Sequence, residues 1–200
     1  MDNKEIISRY LREKDNEDVI IALLQEQKTT LENSFTLNNE DLSLIIKLAK
    51  NSKGQIKYLA LSTLSKIKLS MDAKNFYELC RIAADSLKNK EGDIRRAASI
   101  IIKNLNASMI IIPFINKARN ASEAEINLFY ESFRNLFIKS YLSFYNGSDP
   151  DIRKSILRSL AVMLPRFYDM AKFWDDNDEM SMANKIREEI SKGIQHGNRD

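Results

Sequence analysis

Apolar residues return every three to four positions along nearly the whole chain, and the polar breaks between them are short. That is the period of helices that bury one face. Ile6, Ile7, Tyr10 and Leu11 form a first stripe; Val19, Ile20, Leu23 and Leu24 form a second, with Asn16 as its N-cap. "ENSFTLNN" is the least regular stretch of the N-terminal half. Asn39 then caps a helix whose face is Leu42, Ile45, Ile46 and Ala49, and "NSKG" breaks it. The next helix carries Ile56, Leu59, Ala60, Leu64 and Ile67. Asp72 caps a long helix with Phe76, Leu79, Cys80, Ala83 and Leu87; "KNKEGD" ends it, and "GDIRRAASIIIKNL" follows as another. Asn106 starts a short helix through Pro113. Ser122 with Glu125 has capping-box spacing and opens a helix to about Tyr145. "NGSDP" turns the chain into a helix over 151–164, which Pro165 ends. A last amphipathic helix runs from about Glu179, with the stripe Met182, Ile186, Ile190 and Ile194.

Composition agrees with an all-α chain. Five Gly and three Pro in 200 residues are too few for a fold built on tight turns. The longest apolar run, "MIIIPFI" at 109–115, is far short of the ~20 residues that cross a bilayer. "MDNKEIISRY" lacks a signal-peptide hydrophobic block. The single cysteine, Cys80, stands in apolar "FYELCRIAA", the setting of a buried, inert thiol. The expectation is a soluble cytoplasmic protein.

Short-looped helix pairs invite a search for repeats. The second helix of successive pairs opens as "GQIKYLALSTLSKI" at Gly54, "GDIRRAASIIIKNL" at Gly92 and "PDIRKSILRSLAVM" at Pro150. Ile56, Ile94 and Ile152 share a column, as do Lys57, Arg95 and Arg153. The offsets are 38 and 58 residues, the extra 20 falling around Pro113. Asp93-Ile94-Arg95 with Ala98, and Asp151-Ile152-Arg153 with Ile156, resemble the HEAT repeat and, more loosely, armadillo-like arrays. Gln55-Ile56-Lys57 with Ala60 departs at two places, and Val19–Leu24 hardly matches. The resemblance covers roughly residues 40–165 and implies a right-handed α–α superhelix of stacked antiparallel hairpins. One domain would span 1–200: an N-terminal hairpin (1–38), HEAT-like hairpins (39–165), and C-terminal capping helices with a polar tail (166–200). It also implies an inter-repeat ladder of Asp93, Arg95, Asp151 and Arg153, with Arg95 facing Asp151 and Arg153 facing Asp93. Read physically, Arg95 lies at the edge of the buried stripe, where a guanidinium can bond loop carboxylates or carbonyls.

Net charge is +3 and uneven. Residues 1–50 carry 7 Lys/Arg against 10 Asp/Glu, and residues 51–100 carry 10 against 5. Arg96 points away from Ile94, Ala98 and Ile101 at ~100° per residue. Lys154 shares its column, and Lys103 and Arg158 lie nearby in projection. These four form either a solvated helix face or a surface for an anionic partner.

Phe129, Phe133, Phe137, Tyr141 and Tyr145 recur every fourth residue. That row rotates ~160° along its helix, so no flat ligand touches all five. Core is the expected role, with Tyr141 and Tyr145 as partner contacts at its end. Trp174 with Asp175, Asp176, Asp178 and Glu179 lacks EF-hand spacing, and Asp178 reads better as cap and dipole complement. The only histidine, His196, sits in the tail "GIQHGNRD", and there is no Gly-rich phosphate loop or nucleophile elbow. Alkylation-repair DNA glycosylases also resemble HEAT arrays, but Trp174–Asp175 is the only pair here that matches their tryptophan–carboxylate chemistry. The expectation is a non-catalytic protein-binding scaffold without cofactor or metal. The alternative is a nucleic-acid-binding, DNA-repair-associated array that uses the basic middle. The Met182–Ile194 stripe either caps the array or joins two copies.

Overall fold

The structure, a computed structural model, describes residues 39–66, 72–109 and 120–197. The stripes expected within 1–38, Ile67, and the insert around Pro113 lie outside the described residues, as do the side chains of Ile194 and His196. Among the described residues the chain is all-helical: α1 (Asn39–Asn51), α2 (Gly54–Leu64), α3 (Ala73–Ser86), α4 (Gly92–Ser108), α5 (Glu123–Asn146), α6 (Pro150–Phe173) and α7 (Asn177–Gly197).

Local chemistry starts several of these helices where the sequence indicates. Asp72 accepts the Asn75 N–H at 2.7 Å and caps α3. Ser122 and Glu125 close a full capping box on α5: Ser122 Oγ accepts from Glu125 N at 3.3 Å, and Glu125 accepts from Ser122 N at 2.9 Å. That backbone hydrogen bond from Ser122 holds the Glu125 carboxyl below its ordinary value. Asp149 accepts from Asp151 N and Ile152 N, with Pro150 at the first position of α6, where a missing N–H does no harm.

Four boundaries differ from expectation. α1 includes Asn39 as its first residue. α4 runs on through Asn106 to Ser108, because Ile102 and Leu105 keep its buried face continuous. α6 does not stop at Pro165 but continues to Phe173. Proline removes only the N–H that would bond the Ala161 carbonyl, and Pro165 is itself exposed. Burial of Phe167, Met170 and Ala171 beyond it outweighs that loss at roughly 1.5–3 kcal/mol per large apolar side chain. α7 is capped by Asp176, which accepts from Glu179 N at 3.0 Å; Asp178 lies inside the first turn and complements the dipole.

Packing is pairwise and regular. α1 with α2, α3 with α4, and α5 with α6 form hairpins. The first helices touch in the order α1, α3, α5 and the second in the order α2, α4, α6, while α7 lies on α6. Phe76 meets Phe129 edge-on at 5.1 Å between α3 and α5. Phe137 stacks on Phe167 at 3.8 Å between α5 and α6. The apolar core is continuous from Leu42 to Ile186. α7 takes part through buried Ala183 and Ile186 and packed Ile190, so the stripe expected to cap or dimerise is largely covered within the chain. Its outward residues Ser181, Asn184, Lys185 and Glu188 are polar and exposed. No described helix is long and apolar enough to cross a membrane.

Candidate functional site

Arg95 and Arg153 do the same local job in successive hairpins. Arg95 Nη1 donates to the Asn89 and Lys90 carbonyls at 2.9 and 2.8 Å, closing the α3–α4 loop. Arg153 Nη1 donates to the Phe144 and Gly147 carbonyls at 3.0 and 3.2 Å, and its guanidinium covers the Phe144 ring at 4.4 Å. Each arginine thus satisfies carbonyls of the turn inside its own hairpin, Arg95 in the loop past α3 and Arg153 at the last turn of α5 and just beyond it. Asp93 and Asp151 are exposed, and among the described residues neither forms an ion pair with these arginines. The loop carbonyls are closer along the chain and already occupy the forks.

The contacts of α4 with the helices beside it run through serine hydroxyls and one side-chain amide. Arg95 Nε reaches Ser155 Oγ at 3.4 Å, and Ser99 Oγ lies 3.1 Å from Ser159 Oγ. Both pairs are 60 residues apart, so α4 and α6 run side by side in one direction without slipping. Asn104 Nδ2 bonds the Ser65 carbonyl and ties α4 to the end of α2.

This seam positions the four expected cations. Arg96 follows one seam residue on α4, and Lys154 precedes one on α6; Lys103 and Arg158 lie further along, and all four are exposed. Arg96 and Lys103 lie within ~20° of each other around α4, and Lys154 and Arg158 within ~40° around α6. Both sets flank the seam on its solvent side. Exposed Ile100 and Val162 stand among them. No acid follows Asp93 on α4, and none stands between Asp151 and Asp169 on α6.

Tyr141 and Tyr145 do not join this face. Their rings meet at 4.7 Å, Tyr141 half-buried and Tyr145 exposed, and their row-mates Phe129, Phe133 and Phe137 are fully buried. The Tyr145 hydroxyl is raised above its ordinary pKa by partial burial, then by Tyr141 and by Glu189 of α7. Its charged neighbours are therefore those of α7. Cys80 is buried and its thiol is pushed far up, away from the reactive thiolate. Beside it, a crevice of about 10 Å³ between α3 and α5, lined by Tyr77, Arg81, Asn135 and Lys139, has room for one water.

One constellation went unnoticed in the sequence. Glu179 is only 2% exposed, and its nearest cation is Arg134 Nε of α5. Arg134 also faces Asp176 at 3.5 Å and Glu131 at 3.6 Å. Burial raises the Glu179 carboxyl above its ordinary value, against the pull of Arg134. Burial would lower Arg134, but the surrounding carboxylates hold it above its usual value. Beside this cluster Trp174 stands edge-on to Tyr130 at 6.1 Å. Among the described residues no three His, Cys, Asp or Glu side chains converge on a point that would hold a metal ion.

Comparison of the chain with protein-family models, with curated proteins and with solved structures found no match.

Proposed function

We propose that this chain is a non-catalytic cytoplasmic scaffold, a HEAT-like right-handed superhelix that binds a protein partner on the solvent face of α4 and α6. The observation that carries this reading is the 60-residue register between those helices. Second helices aligned in one direction give a continuous face that grows with every hairpin added. Arg96, Lys103, Lys154 and Arg158 around Ile100 and Val162 suit an acidic amphipathic segment: apolar contact supplies affinity, and charge sets orientation and on-rate.

Nucleic acid is the second reading, favoured by the same four cations sharing a face with no acid among them. One double variant separates the two. Arg96→Glu/Lys154→Glu should lower capture of the protein partner by about tenfold at unchanged melting temperature. Titration with single- and double-stranded DNA and RNA, at low and physiological salt, is the counter-experiment. Binding that falls steeply with salt and is lost in the double variant would replace the protein partner by nucleic acid. Partner capture undiminished in the variant would remove the α4–α6 face from the scaffold reading.

A further inference from the structure

The turn from α6 to α7 presents aromatic rings to solvent in an acidic surround. Phe173 is 84% exposed, the most exposed large apolar side chain among the described residues, and Trp174 is 42% exposed. Their rings lie 6.4 Å apart, and Trp174 is propped edge-on against Tyr130. Residues 167–184, "FYDMAKFWDDNDEMSMAN", hold five acids against one lysine. Asp169, Asp175 and Asp178 are exposed; Asp169 lies one turn below Phe173 on the same helix.

The turn holds these groups in fixed positions. Asp175 N donates to the Lys172 carbonyl at 3.3 Å and Asp176 N to the Ala171 carbonyl at 2.9 Å, the paired bonds of a Schellman helix end. Asp175 occupies the left-handed position of that motif at φ 54°, where glycine is the usual residue. Behind it, Arg134 binds Asp176 and Glu179 and anchors the turn to α5.

We infer that this corner docks an arginine- or lysine-bearing segment of a protein partner, with the cation over the Phe173 and Trp174 rings and its charge met by Asp169, Asp175 and Asp178. Aromatic faces attract cations, and carboxylates beside them add direct pairing. The acidic surround opposes an anionic membrane surface, which would otherwise suit exposed Trp and Phe. The inference rests on the scaffold reading for the existence of a protein partner, but it concerns a different face from α4–α6.

Trp174 is the only tryptophan in the chain, so its fluorescence reports this corner directly. The full chain is titrated with a synthetic eight-residue Gly/Arg peptide, and with a Gly/Glu peptide of equal length as control. A saturable emission change is expected with the basic peptide alone, weakening as salt rises. Phe173→Ala, at a side chain that packs on little, should weaken binding about fivefold. Asp175→Asn/Asp178→Asn, which keeps a residue tolerant of positive φ at 175, should weaken it further and flatten the salt dependence. No emission change, an equal response to both peptides, or unaltered affinity in both variants overturns the inference. So does a concentration-dependent emission change that tracks dimer mass without peptide, which would assign the corner to a second copy. Arg96→Glu/Lys154→Glu should leave this titration unchanged. A silent Trp174 with partner capture intact at α4–α6 would therefore sink the corner and spare the scaffold reading.

Discussion

The α4–α6 seam and the corner where α5, α6 and α7 meet share one long helix, yet they hold their neighbours by opposite means. At the seam, serine hydroxyls carry the contacts: Ser99 meets Ser159 at 3.1 Å and Ser155 accepts from the Arg95 guanidinium at 3.4 Å, while Arg96, Lys103, Lys154 and Arg158 are turned outward. At the corner a carboxylate is taken almost fully out of water and set against a guanidinium. Small hydroxyl side chains let α4 and α6 approach closely. A buried ion pair demands one particular partner and gains little net energy, so it suits a unique junction such as the end of a stack.

Removing Arg134 should break the corner hardest. Arg134→Ala leaves Glu179 buried without its cation, at a loss of about 3 kcal/mol in urea unfolding. A loss under ~1 kcal/mol would mean that the buried carboxylate finds other partners. The effect should shrink in acid, because a protonated Glu179 needs no cation. With its folded pKa raised from 4.5, Glu179 favours the fold below that value, and this contribution is lost as pH rises through the raised one. Glu125 at the exposed capping box should respond in the opposite sense, its contribution fading as pH falls through its lowered pKa. The seam should fail by crowding instead: Ser159→Leu is expected to lose about 2 kcal/mol, with no pH dependence. Asp72→Ala should remove a cap worth about 1 kcal/mol. Asp175→Gly should stabilise the chain by about 0.5–1 kcal/mol by relieving its positive φ, and a loss would show that the side chain contributes more than the strain removes. Arg96→Glu should change thermal stability least, within about 0.5 kcal/mol, since its side chain is exposed.

Features set by neighbours in sequence were legible before the fold was known. The Asp72 cap and the Ser122–Glu125 box need only residues three apart, and the Phe129–Phe133–Phe137 row announces its core face by period alone. Pro165 misled because its local cost is visible in sequence and the burial of Phe167 and Met170 beyond it is not. Asp178 stands nearest the helix start that the pattern suggests at about Glu179, but the turn at Asp175 begins α7 at Asn177 and makes Asp176 the cap instead. The four cations were legible as columns within their helices. That they flank a single seam depends on α6 passing over α5 to lie beside α4, which periodicity does not encode. The Arg134–Glu179 pair joins α5 to α7 across two intervening turns, and no local pattern marks either residue.

Because α6 is one unbroken helix, it also works as a ruler. From Arg158 on the seam face to Phe173 at the corner it rises about 22 Å, at 1.5 Å per residue. A ligand that grips both places at once must carry its acidic and basic segments that far apart, roughly seven extended residues. Linkers shorter than this would forfeit the second grip altogether, and much longer ones would dilute it. The helix length, set by burial continuing past Pro165, would thus select ligands by spacing as well as by charge.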